Sequence, residues 1–225
     1  MTSSPGAVLA QPAWLAQRVA DTARYWRLDD DRVAATLWWY SASSVVVTGI
    51  GDLLTTGTAP NTDLDEATVE IAPDGRLLDF RSAGRLRDVD DIADALRDTL
   101  AAIVDPLATL SGATPRALWA VASDSLANRC LNAGSAALAS GLATRIGEPL
   151  PVPRFVDVGR DCTDADTSAP VPPGRRRVVR RSSCCLIYRS PVVAAPGDPD
   201  AAARAKCVSC PRQRPEVRAA RLTAL

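Results

Sequence analysis

The stretch DVDDIADALRDTLAAIVDPL, Asp88 to Leu107, places Ile92, Leu96, Leu100 and Ile103 on one side at helical spacing, with Asp90 and Asp91 in the opening turn. A second stretch, TPRALWAVASDSLANRCL at 114–131, has the marks of a helix start. Thr114 is suited to cap the helix and Pro115 to occupy its first position, ahead of Leu118, Trp119, Ala122, Leu126 and Leu131. Its Ala- and Ser-rich continuation to Gly141 would let another element approach closely. Outward from this pair, Gln11 to Trp26 carries Leu15, Val19 and Ala23 on one side, with Trp14 and Trp26 near the ends, and reads as an amphipathic helix. Asp29, Asp30 and Asp31 then supply a cap and an acidic first turn for a helix bearing Val33, Leu37, Trp38 and Tyr40, which Gly49 and Gly51 are expected to end. The cluster Trp38-Trp39-Tyr40 reads as packing, because large aromatics dominate burial, with a substrate-facing wall as the alternative.

The period changes between Ala67 and Arg81. Thr-Val-Glu-Ile, then Pro73-Asp74-Gly75, then Leu-Leu-Asp-Phe is a β-hairpin signal with turn residues at its centre. Pro149, Pro151 and Pro153 interrupt regular structure, a short strand follows at Phe155–Val158, and Asp161 to Gly174 reads as a linker or surface loop. The fold class is therefore α+β: a mainly helical body at 1–160 with a small antiparallel sheet, a linker at 161–174 and a cysteine-rich appendage at 175–225. Within that appendage, Pro191 to Ala205 reads as an exposed insertion and Glu216 to Leu225 as a short terminal helix or a frayed end.

The zero net charge of the 225 residues hides an asymmetry. Residues 1–174 hold 14 Arg against 23 Asp and Glu, a balance of −9, whereas residues 175–225 hold 11 Arg and one Lys against three acids, a balance of +9. The chain has no histidine, so imidazole can serve neither as general base nor as metal ligand, which sets aside most hydrolase and mononuclear zinc-enzyme chemistry. The opening residues, Met1 to Gly6, lack a basic region leading into an apolar core, and apolar runs such as Val45-Val46-Val47 are far too short to span a bilayer. The expectation is a cytoplasmic protein without a transmembrane segment, in which clustered thiols serve metal or redox chemistry.

Those thiols lie in the basic part, as the adjacent pair Cys184-Cys185 and, after a 21-residue gap, the pair Cys207-x-x-Cys210. Four soft thiolate donors in two local pairs suit zinc or an iron-sulfur cluster and suit magnesium or calcium poorly. Adjacent cysteines are unusual for zinc knuckles, whose paired ligands have residues between them, but spacing leaves cluster, structural zinc, disulfides and free thiols all open. Cys130, inside a helical pattern, reads as a buried apolar residue and Cys162 as an incidental thiol. Arg175 to Arg177 read as solvated, while Arg180, Arg181 and Arg189 are the guanidinium groups closest in sequence to the thiols. A basic stretch beside a zinc knuckle would suit nucleic acid, but Tyr188 is the only ring in the tail and no stacking platform accompanies it, so no nucleic-acid partner is expected.

The run from Arg180 through Cys184-Cys185-Leu186-Ile187-Tyr188-Arg189 to Cys207-Val208-Ser209-Cys210-Pro211 resembles the C-terminal end of the FhuF-like ferric siderophore reductases. Asp31 to Trp38 looks like that family's early helix, and Arg116 to Ala127 like its central Leu-Trp helix. The resemblance implies a [2Fe-2S] cluster on Cys184, Cys185, Cys207 and Cys210, with Arg181, Tyr188 and Arg189 as candidates for tuning it or touching substrate. The implied activity is one-electron reduction of siderophore-bound Fe(III). A chain with no Gly-rich dinucleotide fingerprint would take its electrons from a separate ferredoxin- or flavoprotein-type donor. Substrate would enter a groove between the helical body and the cysteine segment, with Trp39 or Trp119 as candidate walls although both are expected in the core. The gap from Cys185 to Cys207 is longer than the family's usual spacing. Doubling a flexible loop costs only about 0.6 kcal/mol, far less than a metal-thiolate site contributes.

Overall fold

The computed structural model describes residues 1–198 and 200–224. Pro199 and Leu225, which fall in the expected insertion and tail, lie outside the described residues. The helices are α1 (Pro12–Trp26), α2 (Asp31–Val46), α3 (Leu53–Thr56), α4 (Val89–Ser111), α5 (Pro115–Asn132), α6 (Ala136–Ile146), α7 (Ala201–Arg204) and α8 (Pro215–Thr223). The strands are β1 (Thr2–Pro5), β2 (Ala59–Pro60), β3 (Ala67–Ile71), β4 (Leu77–Ser82), β5 (Arg85–Leu86), β6 (Phe155–Val158), β7 (Cys162–Asp164) and β8 (Arg176–Val179). Helices and small antiparallel sheets together make the fold α+β.

The apolar stripe of α4 does what its spacing predicts. Leu96, Leu100, Ile103 and Leu107 are fully buried, and α4 packs against α1, α5 and α6. Each such side chain contributes about 1.5–3 kcal/mol by leaving water. The helix runs past Pro106 to Ser111 and stops at Gly112, whose φ of 69° is the left-handed geometry of a glycine stop. Asp88 caps its start by accepting from the Asp90 and Asp91 amides.

Helix α2 lies between α1 and α5. Trp38 and Trp39 are core, and Trp39 Nε1 donates to the Leu118 carbonyl of α5 at 2.9 Å, satisfying the one polar atom of a buried indole. Tyr40 departs from the packing expected for its cluster: it is 38% exposed and faces the C-terminal segment. The continuation of α5 to Gly141 is also corrected. The helix ends at Asn132, Gly134 turns the chain at φ 101°, and Ser135 caps a separate α6 through the Leu138 amide.

The hairpin of β3 and β4 is joined by β1, giving the order β1-β3-β4. The N-terminal strand had no periodic signal, and its pairing to β3 is a tertiary contact. A second three-stranded sheet, β7-β6-β8, straddles the expected 161–174 linker: β7 lies inside it, and β8 comes from the basic segment beyond. The basic segment is thereby hydrogen-bonded to Phe155–Val158 and packs on α5. Arg177 corrects the solvated reading of Arg175 to Arg177. Its side chain is buried and donates through Nε and Nη2 to both oxygens of Asp157, at 2.8 and 2.9 Å.

Among the described residues one stretch, Asp31–Thr56, has the length and composition of a candidate membrane span, and 67% of its 18-residue apolar window is buried inside the protein. That is the burial of a core helix, and no clear transmembrane segment is present among the described residues.

Candidate metal centre

Two segments bring the four C-terminal cysteines together. The first leaves β8 with the Arg180 amide bonded to the Arg154 carbonyl and passes over α5, where Asp124 receives it. The Asp124 carboxylate, buried in mid-helix, accepts from the backbone amides of Ser182 (3.0 Å) and Ser183 (2.9 Å) and from both hydroxyls, at 3.2 and 2.6 Å. Two amides and two hydroxyls on one carboxylate hold the residues immediately before Cys184 in place. Beyond the pair, Leu186 turns the chain in the left-handed region at φ 62° and its amide donates to Cys184 Sγ at 3.4 Å. Ser190 then ties the segment to the end of α1 through the Trp26 carbonyl.

The second segment arrives after a folded excursion rather than a bare loop, with α7 packed on the turn Ile187–Arg189. Cys207 and Cys210 flank a tight turn closed by the Cys210 amide on the Cys207 carbonyl at 3.0 Å, which Gln213 braces by donating to the Cys207 and Val208 carbonyls. Cys184 Sγ and Cys210 Sγ are 3.5 Å apart. All four thiols are unbridged, with Cys185 and Cys210 buried, Cys184 partly so and Cys207 exposed.

Arg181 is the charge that faces them. Its guanidinium is buried, donates from Nη1 to Cys207 Sγ at 3.3 Å, lies 4.7 Å from the Tyr40 ring centre and pairs with Asp124 at 3.5 Å. Burial opposes its charge, but Tyr40, Cys207, Asp124 and Cys185 around it outweigh that and hold its pKa above the ordinary value. A hydrogen bond from Cys184, helped by the Ile187 amide and Arg181, pulls the Cys185 thiol down to about 6, and the same shared proton pushes Cys184 up. Cys207, exposed as a residue but with its sulfur partly shielded from water, is raised by that desolvation despite Arg181.

The expected site residues separate as follows. Cys184 and Cys210 meet sulfur to sulfur, Cys185 adjoins Cys184 in the chain, and Arg181 donates to Cys207. Tyr188 and Arg189 do not reach the thiols; they line an adjacent cavity of about 590 Å3 that also admits Cys184. Arg180 turns away to pair with Asp164. Trp39 and Trp119 are buried in the core. Cys130 is fully buried, its thiol pushed up to about 12 by burial, and Cys162 sits beside the Ala219 carbonyl in a small cavity that Ser209 also lines. Asp124 and Tyr40 were missed as site residues. Asp124 had a signal in the sequence: Ser123-Asp124-Ser125 is a polar triplet inside an apolar helix, and buried polar groups need partners.

Among the described residues no group of three or more His, Cys, Asp or Glu is arranged to hold a single metal ion. A binuclear cluster makes a different demand, two thiolates per iron with the pairs set apart by the iron-sulfide core. The four soft donors suit that chemistry. Arg181 Nη2, buried with no hydrogen-bond partner among the described residues, is a donor that an anionic group on these cysteines would satisfy. Compared with protein-family models, curated proteins and solved structures, the chain gives no match.

Proposed function

We propose that this chain is a cytoplasmic iron-sulfur oxidoreductase that reduces siderophore-bound Fe(III) to Fe(II) by one electron, taking electrons from a separate ferredoxin- or flavoprotein-type donor. The observation that carries the reading is the approach of the two cysteine segments, with Cys184 and Cys210 sulfurs 3.5 Å apart, the buried Arg181 guanidinium bonded to Cys207, and Cys184 on the wall of an open cavity. A [2Fe-2S] group held by Cys184, Cys185, Cys207 and Cys210 supplies a one-electron couple.

The chain's own residues support that couple. Arg181 offers positive charge where an added electron deepens negative charge, and burial strengthens the attraction by lowering the local dielectric. Asp124 holds Arg181 and the backbone before Cys184 in place. Cys184 faces the cavity where a chelate would approach, whereas Cys207 is exposed and offers a contact for the donor. Siderophores grip Fe(III) through hard oxygen donors, and Fe(II), with lower charge density, is held much less tightly. No proton transfer or nucleophile is required, in keeping with a chain that has no histidine.

The test is anaerobic. Protein reduced with dithionite and freed of excess reductant is mixed with a ferric siderophore and a ferrous-specific chelator. The reading expects reoxidation together with captured ferrous ion in equal amounts. Reoxidation by an unrelated acceptor such as a cytochrome, with no ferrous ion released from any siderophore, would make the chain a general electron carrier and end the siderophore assignment.

A further inference from the structure

The cavity beside Cys184 lies at the start of α5, between α2 and the cysteine segment, and its charge has one sign. Arg32, Arg189 and Arg212 line it together with Tyr188, Thr114 and Cys184, and no Asp or Glu is among its described lining residues. Asp30 stands behind two of the arginines, 2.9 Å from Arg32 and 3.7 Å from Arg189, and Arg212 forms no ion pair among the described residues. Three guanidinium groups against one carboxylate leave an excess of positive charge. The first turn of α5, where Thr114 caps the Ala117 amide, adds the positive end of an 18-residue helix. These arginines are separate from the buried Arg181: their side chains are 58% exposed at Arg32 and 51% at Arg189, open to a ligand entering from solvent.

We propose, on the basis of the reductase reading, that this cavity selects ferric chelates of net negative charge, of the tris-catecholate kind, over neutral tris-hydroxamates. Three catecholates, each doubly charged, leave the ferric complex trianionic, whereas three singly charged hydroxamates leave it neutral. At about 590 Å3 the cavity is of the size that holds drug-sized ligands. Arg forks suit the oxygens of catecholates, and the Tyr188 ring, with the Lys206 ammonium 5.2 Å from its centre, adds aromatic surface to the wall.

The test separates binding from electron transfer by using gallium(III), which matches ferric iron in charge and is not reduced. The protein as purified is titrated calorimetrically with the gallium complexes of a hexadentate tris-catecholate and a hexadentate tris-hydroxamate. The expected result is at least about tenfold tighter binding of the tris-catecholate, weakening as salt is raised. Arg189→Gln and Arg212→Gln should each cost about tenfold in that affinity, as loss of a charge-assisted contact. Arg180→Gln, outside the cavity, should leave the affinity unchanged. Equal binding of the two complexes, or a preference untouched in the Arg189→Gln/Arg212→Gln double variant, overturns the proposal. The two ideas fail separately. Ferric chelates that reoxidise the protein while gallium chelates bind alike would leave the reductase reading standing without anion selection. Selective binding of the gallium tris-catecholate with no ferric chelate reduced would keep the anion-selective cavity and end the reductase reading.

Discussion

Asp124→Asn removes the charge that faces buried Arg181 and turns amide hydrogens toward donors already in place. Asp124 accepts from the Ser182 and Ser183 amides at 3.0 and 2.9 Å and pairs with Arg181 at 3.5 Å, both side chains being more than nine-tenths buried. Breaking one partner out of a buried charge pair costs about 3–5 kcal/mol, because the remaining charge is left without compensation. With each factor of ten worth about 1.4 kcal/mol, the segment before Cys184 should open on the order of 100- to 4,000-fold more often. Native-state hydrogen exchange reads this directly, since Ser182 and Ser183 give their amide protons to that carboxylate. Combining Asp124→Asn with Arg181→Met should recover more than half of the loss by removing the stranded charge. Asp164→Asn is the control. Its exposed pair with Arg180 is worth at most about 1 kcal/mol. Acceleration of less than about tenfold at Ser182 and Ser183 in Asp124→Asn would refute the clamp.

Other perturbations probe different parts of the structure. Ser43 and Ser125 share a buried hydroxyl hydrogen bond of 2.7 Å between α2 and α5; Ser43→Ala should cost about 1–3 kcal/mol in urea unfolding, and Ser43→Ala/Ser125→Ala should cost little more than the single change. Asp30 caps α2, and its carboxyl is held below the ordinary range chiefly by the hydrogen bond from Arg32, against some desolvation. A depressed folded-state pKa contributes stability that is present above the unfolded value and lost as pH falls through the folded one. Asp30→Ala should therefore be about 1 kcal/mol less stable than the parent at pH 7, and the gap should close as the pH is taken well below about 4. Arg27 ends α1 in the left-handed region at φ 50° while exposed, so Arg27→Gly should stabilise by about 1 kcal/mol, raising Tm by roughly 2–4 °C. Cys130, with its thiol pushed up to about 12, should resist alkylation at pH 8 in native protein, and a Cys130→Ser variant should keep its iron while Cys210→Ser loses it.

The helical body was legible because its signals are local. The stripe of α4, the Thr114-Pro115 start of α5 and the Pro73-Asp74-Gly75 turn all act within a few residues of themselves, and the structure follows them. What local pattern cannot carry is long-range pairing. Nothing at residues 2–5 announces an edge strand, and the Asp-, Thr- and Pro-rich stretch that reads as a linker gains β7 only because β6 lies beside it. Arg177 looked solvated beside its basic neighbours, and its burial depends on Asp157 across the sheet. The four thiols could be grouped from spacing, but Asp124 is about sixty residues earlier in the chain, and only the docking of the cysteine segment on α5 gives it a partner. Tyr40 was read with the tryptophans before it; one step along the helix turns it from the core to Arg181.

What Cys184, Cys185, Cys207 and Cys210 hold decides between a redox and a structural role for this segment. Iron, acid-labile sulfide and zinc should be measured on anaerobically purified protein alongside its visible spectrum. Iron and sulfide in equal amounts, two of each per chain, with a colour that dithionite bleaches and that Cys210→Ser lacks, is the result the account predicts. Colourless protein carrying stoichiometric zinc, or iron undiminished in Cys210→Ser, would contradict it.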